Sequence, residues 1–175
     1  MATRSFSSRL LPLAVLLATP LLMGSNGYRS DFNARLLESQ NRARAEVGSR
    51  PMEWNDGLAK DAKLWADHLA ATGRFEHSPD EPGVEPQGEN LWAGTPGAYQ
   101  PEAMIGLWHA EKRDYKPGVF PNNSVSGDLE NVGHYTQLIW GKTSQVGCAM
   151  TRGLQEEILV CRYSSPGNVM GQRPI

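Results

Sequence analysis

The chain has 175 residues, 39% hydrophobic and 21% charged, with 17 basic and 19 acidic side chains and a formal charge of −2. That balance supplies no basic field of the kind non-specific nucleic-acid binding needs. There is no internal repeat, no long charge block and no second long apolar run after the N-terminal one.

At the N-terminus, Arg4 and Arg9 precede an apolar run from Leu10 to Met23, broken only by Thr19 and Pro20. The run is shorter than the roughly 20 residues that span a bilayer. Its length and basic flank predict a secretory signal peptide over residues 1–25, with Gly24, Ser25 and Gly27 as small residues near the cut. An uncleaved N-terminal anchor is the competing reading. Cleavage removes Arg4 and Arg9 and no acid, taking the formal charge from −2 to −4. Residues 28–175 then form one domain long enough for a real core. It is expected to be secreted, or periplasmic in a Gram-negative cell, with no transmembrane span in the mature form.

The first helix is expected from Ser30, as N-cap, to Gly48, with Phe32, Leu36, Leu37, Ala43 and Val47 as apolar positions. The second follows Asp56 as cap and stops at Gly73, with Leu58, Ala62, Trp65 and Leu69 on one face. Ser78 to Gln87 holds three prolines and three acids and reads as a loop. Gly88 to Ala93 reads as a strand, with Glu89, Leu91 and Ala93 on one face. The third helix starts near Pro101 and reaches Tyr115, with Met104, Leu107, Trp108 and Tyr115 as its apolar face. Lys116 to Val132 is expected as a functional or mobile loop, because long irregular stretches in compact domains usually are. Its Asn122-Asn123-Ser124 is a glycosylation sequon, meaningful only in a eukaryotic secretory pathway. Gly133 to Trp140 is short, and its residues permit either helix or strand.

Ser144 to Thr151 and Ile158 to Tyr163 read as strands joined by a polar turn at Arg152 to Glu157. They carry the only two cysteines, Cys148 and Cys161. In a symmetric antiparallel hairpin the two fall opposite each other, where a disulfide can form. Two buried free thiols are the alternative. Helices together with a small, segregated antiparallel sheet make the fold class α+β.

Glu111 falls three residues after Trp108 and four before Tyr115, on the expected apolar face of the third helix. A carboxylate there needs a compensating partner. An ion pair to an arginine such as Arg44 is one answer, and a metal is another. His77, Glu89 and His134 are unremarkable one by one. No local zinc motif of the His-Glu-x-x-His or Cys-x-x-Cys type is present.

Gly133-His134-Tyr135-Thr136-Gln137-Leu138-Ile139-Trp140, followed by Val160-Cys161-Arg162-Tyr163 and Ser165-Pro166-Gly167-Asn168, resembles the paired signature motifs of the CAP superfamily. That family groups the cysteine-rich secretory proteins, antigen 5 and pathogenesis-related 1. Asn41-Arg42-Ala43-Arg44, Trp54-Asn55, His77-Ser78-Pro79, Gly88-Glu89-Asn90-Leu91 and Trp108 to Tyr115 match further family blocks in order. Gln40 stands where family members often have His. The resemblance implies a three-layer α-β-α sandwich. It also implies a central cleft in which His77, Glu89, Glu111 and His134 converge.

Imidazole and carboxylate suit a divalent ion, zinc above all, and an open site with few protein ligands binds it weakly. Such a site loses affinity below about pH 6.5, where free imidazole protonates. The leading reading is therefore a secreted, metal-binding module whose ligand is a lipid, sterol or other small apolar molecule, a polysaccharide or an extracellular protein. Trp92, Trp108 and Tyr115 are candidates to line a groove, although aromatic residues at such spacing more often belong to the core. The second reading is a zinc-dependent hydrolase or protease, with Glu89 or Glu111 as general base. The third is a structural polar cluster, with function on the outer loops.

Overall fold

The computed structural model describes residues 25–80 and 82–175. The expected signal peptide therefore lies outside the described residues, Ser25 excepted. In chain order the elements are α1 (Ser25–Ala45), β1 (Glu53–Trp54), α2 (Asp56–Thr72), β2 (Gly88–Gly94), α3 (Pro101–Ala110), α4 (Gly133–Ile139), β3 (Gln145–Arg152) and β4 (Glu157–Ser164). The strands form one sheet in the order β1-β3-β4-β2. β3, β4 and β2 pair antiparallel, as expected. β1 was not foreseen, because two residues carry no period, and it joins β3 in parallel, so the sheet is mixed at that edge.

Strand alternation builds the two cores. Ile158 and Val160 face one way, with Leu91, and meet Ala62, Ala66 and Leu69 of α2. Leu159, Cys161 and Tyr163 face the other way and meet Leu36, Met104, Trp108 and Leu138 from α1, α3 and α4. One helix covers one sheet face and three cover the other, which is the α-β-α sandwich. α2 lies close on β3: a Cβ at Gly147 would collide with the backbone of Asn55, Leu58 and Ala59.

Several boundaries differ from expectation. α1 begins at Ser25, so Ser30 lies inside the helix rather than capping it; Gly48, at φ 72°, closes the turn after Ala45. The N-cap of α2 is Asn55, not Asp56: its side chain accepts from the Leu58 N–H. Gly73, at φ 67°, ends that helix as expected. α3 stops at Ala110 and tightens into a 3-10 turn over Glu111–Asp114 instead of reaching Tyr115. Tyr115 instead bridges to Ser124, and the Lys116 N–H donates to the Asn123 carbonyl at 2.7 Å. The buried stripe of α3 is Pro101, Met104, Ile105 and Trp108, at i, i+3, i+4 and i+7. Leu107 falls off that stripe and is 54% exposed. α3 is tied to α1 by Arg35, whose Nε and Nη2 donate to Glu102 at 2.8 and 2.7 Å.

Residues 116–132 are packed rather than merely solvated. Phe120 is buried and meets Trp140 edge to face. The Phe120 N–H donates to the Gln172 carbonyl, and the Gly171 N–H to the Phe120 carbonyl. Asp114 accepts from the hydroxyls of Ser124 and Ser126 at 2.6 and 2.7 Å. Asn122 is exposed, whereas Ser124 of the same sequon is buried.

Arg44 is fully buried, and its guanidinium donates to four carbonyl oxygens: Arg50, Leu138, Trp140 and Thr143. It thus fixes the end of α4 and the turn into β3. Burial lowers its pKa from the ordinary arginine value. Cys148 and Cys161 are register partners across β3 and β4 and are joined by a disulfide. Gln40 is buried beside them, with Nε2 3.6 Å from Cys148 Sγ and Oε1 accepting from the Tyr163 hydroxyl at 2.9 Å. Trp92 and Trp108 are core residues, 5% and 3% exposed, and do not line a groove.

Candidate functional site

The four candidate residues form two histidine–glutamate pairs. His77 follows the end of α2, and Glu89 lies near the start of β2. Glu89 Oε1 is 2.6 Å from His77 Nδ1 and accepts the Ser78 N–H at 3.1 Å. A carboxylate only accepts, so Nδ1 is the nitrogen that carries the proton toward Glu89. On its other side Glu89 faces Arg162, its register partner on β4. Arg162 Nε lies 3.1 Å from Glu89 Oε2, an ion pair in which neither atom makes a hydrogen bond. The Glu89 side chain is 7% exposed and that of His77 65%.

The second pair joins α4 to the turn after α3. His134 Nδ1 is 2.5 Å from Glu111 Oε1, and Glu111 Oε2 accepts the Tyr135 N–H at 3.0 Å. α4 has no side-chain cap of its own. Glu111 therefore satisfies one of the free N–H groups that begin every helix. This is the compensation its position required; Arg44 is committed to carbonyls instead. Trp108 stacks on the His134 ring at 5.8 Å and 6°, fixing its plane.

The two pairs are connected through backbone and signature residues. Asn90, next to Glu89, donates from Nδ2 to the His134 carbonyl at 3.2 Å. Gly88 lies directly against the Gln137 side chain, where any Cβ would collide. Gln137 Oε1 accepts the Gly167 N–H at 2.8 Å. Thr136 Oγ1 lies 2.6 Å from Asn168 Oδ1, and Asn168 Nδ2 donates to the Gly133 carbonyl. The two signature segments thus hold each other. Tyr135, Trp140, Cys161 and Tyr163 are core members of that junction. Burial, aided by Tyr115 and Glu46, pushes the Tyr135 phenol up to about 12, and burial pushes Tyr163 up as well.

Among the described residues, no three His, Cys, Asp or Glu side chains are grouped closely enough to hold a metal ion. A groove of about 810 Å³ runs between α2, the segment around 77–87 and residues 166–168. It contains His77, Glu89 and Arg162 but neither His134 nor Glu111. The hydrogen-bonded pairs, rather than the groove's outline, define the site, because donor chemistry, not volume, sets what it can hold. Arg162 and Asn90 were not singled out from the sequence as site residues. Strand parity was the available signal for Arg162: antiparallel pairing sets it beside Glu89.

The sequence matches the family model "CAP: Cysteine-rich secretory protein family" over residues 37–163. It is 36% identical over 145 residues to a pathogenesis-related protein PR-1 of Medicago truncatula, covering 82% of this chain and 79% of that one. It is 32% identical to pathogenesis-related protein 1 of Arabidopsis thaliana, covering 99% of each. Among solved structures it resembles NaASP2 with Zn2+ (TM-score 0.69, 22% identity, 82% and 84% of the two chains). It also resembles the hookworm platelet inhibitor (TM-score 0.64, 18% identity, 82% and 74%). Signature segments, sandwich and sequence similarity agree, and the chain belongs to the CAP, or cysteine-rich secretory protein, family.

Proposed function

We propose that this protein is a secreted binding module whose His77–Glu89 and His134–Glu111 pairs serve a weakly held divalent ion, zinc first, beside a ligand groove. One observation carries the reading: both imidazoles direct Nδ1 at a carboxylate. That contact leaves Nε2 as the coordinating nitrogen and fixes the ring's orientation, the arrangement by which carboxylates support metal-bound histidine. In this reading His77 and His134 are the protein ligands, Glu89 and Glu111 their supports, and water fills the remaining positions, because the described residues gather no third side-chain ligand. When bound, the ion would supply Lewis acidity and a fixed positive charge. Glu89 and Glu111 orient the rings, Trp108 holds the His134 plane, and Asn90 keeps strand and helix in step.

Both carboxylates already accept from an imidazole and a backbone N–H. That commitment favours positioning over a general-base role and is the reason binding is placed ahead of hydrolysis. Similarity to pathogenesis-related proteins supports an extracellular setting. Among the described residues no helix is long and apolar enough to cross a membrane. The Zn2+ in the NaASP2 structure makes zinc the first ion to try. The test is a thermal melt of chelator-treated protein with and without added zinc. A concentration-dependent rise in Tm supports the metal reading. Identical melts up to millimolar zinc contradict it.

A further inference from the structure

The groove has a chemistry of its own. Four carboxylates line it (Asp61, Asp80, Glu85 and Glu89), against one guanidinium, Arg162; His68 and His77 are its other titratable groups. Asp61 accepts from Gln87, and Glu89 is held by His77, Ser78 and the ion pair to Arg162. Asp80 and Glu85, both exposed, have no hydrogen bond or ion pair among the described residues. Glu89 Oε2 and Arg162 Nε, both buried and without hydrogen bonds, face each other at 3.1 Å as an ion pair, which leaves Gln87 Oε1 as the buried lining acceptor with no donor. Between these acids lie exposed apolar side chains: Leu64 is 64% and Val84 55% exposed. Trp65 stacks flat on His68 at 4.6 Å.

We propose that this groove binds a short arginine-bearing peptide segment. The assignment follows from what the walls lack. The unpaired carboxylates of Asp80 and Glu85 and the donorless Gln87 Oε1 call for a ligand that is positive and carries several N–H donors. A guanidinium has five donors, no acceptor and a planar face suited to the Trp65–His68 stack. Its methylene stem covers apolar surface such as Leu64 and Val84 while the head stays polar. Anionic ligands meet a net negative lining, and neutral sugars leave its charge unanswered. The volume suits a few residues of peptide. The inference rests on reading this cleft as a binding site, but not on any metal.

The experiment is fluorescence anisotropy of a fluorescein-labelled tetra-arginine peptide titrated with the protein in EDTA, then repeated with zinc. Saturable binding in EDTA is expected, about tenfold or more tighter than for a tetra-glutamate peptide, and weakening with added salt. Asp80→Asn combined with Glu85→Gln should weaken it about tenfold with an unchanged melting curve, since both residues are exposed. Leu64→Ser is a second variant that should also weaken it. Absence of binding in EDTA overturns the proposal, whatever zinc then does. So does equal binding of the acidic peptide, or full affinity in both variants. A negative zinc melt with a positive peptide titration would remove the metal and leave the peptide site standing.

Discussion

Replacing Arg44 by methionine is the most informative single perturbation of this fold. Methionine keeps much of the side-chain length and apolar volume but removes the fork that satisfies four carbonyl oxygens. Each charge-assisted bond contributes about 1.5 kcal/mol, so the four amount to about 6 kcal/mol. Relief from burying a guanidinium with no carboxylate partner offsets part of that. The net loss should be about 3–5 kcal/mol, most of it from carbonyls left in a dry turn between α4 and β3. At about 2–4 °C per kcal/mol for a domain of this size, Tm should fall by roughly 10 °C. Urea denaturation followed by circular dichroism reads the loss as a lower midpoint at unchanged slope. Arg44→Lys, which keeps charge without the fork, should recover only part of it. A loss below about 1 kcal/mol for Arg44→Met would refute the reasoning, because it would mean water replaces the guanidinium at little cost.

Removing the disulfide with Cys148→Ser and Cys161→Ser should cost about 3 kcal/mol, measured by urea melts; an unchanged midpoint contradicts that. Glu111→Ala should lower the stability of metal-free protein by about 1–2 kcal/mol, because the Tyr135 N–H and His134 Nδ1 lose their acceptor. No change in a chelated thermal melt would mean the carboxylate is structurally idle. Glu102 is held down to about 2, chiefly by hydrogen bonds from Arg35, against an ordinary 4.5. The folded state therefore binds fewer protons there than the unfolded chain. The contribution is fully present above about pH 4.5 and is lost as pH falls toward 2. With the Glu102 side chain 41% exposed, solvent screening limits it to under about 1 kcal/mol. Glu102→Gln should flatten that part of the acid limb, and parallel stability curves for the two proteins would argue against the pairing.

Much of this molecule was legible before any coordinates. The stripe of α2 and the β3–β4 hairpin are periodic signals, and the Cys148–Cys161 register follows from the symmetry of the hairpin. Errors fell where local pattern does not decide. Leu107 looks like part of the α3 stripe until the helix is seen to pack through Pro101, Met104, Ile105 and Trp108. β1 exists because β3 offers an edge, not because Glu53 and Trp54 prefer a strand. α4 has β-prone residues, and its helix is held by contacts remote in sequence: Glu111 at its start, Arg44 at its end and Asn168 along its side. The candidate site divides the same way. Family resemblance pointed to His77, Glu89, Glu111 and His134. Their arrangement as two pairs, with Arg162 behind one and Trp108 over the other, depends on strand register and helix docking that no local window contains.

The most direct test of the central claim is calorimetric titration of zinc into metal-free protein, run alongside His77→Ala and His134→Ala. Saturable, weak binding at one ion per chain, lost in both variants, is the predicted result. Heat of binding that survives either substitution, or no binding in the parent protein, would contradict a metal shared by the two pairs.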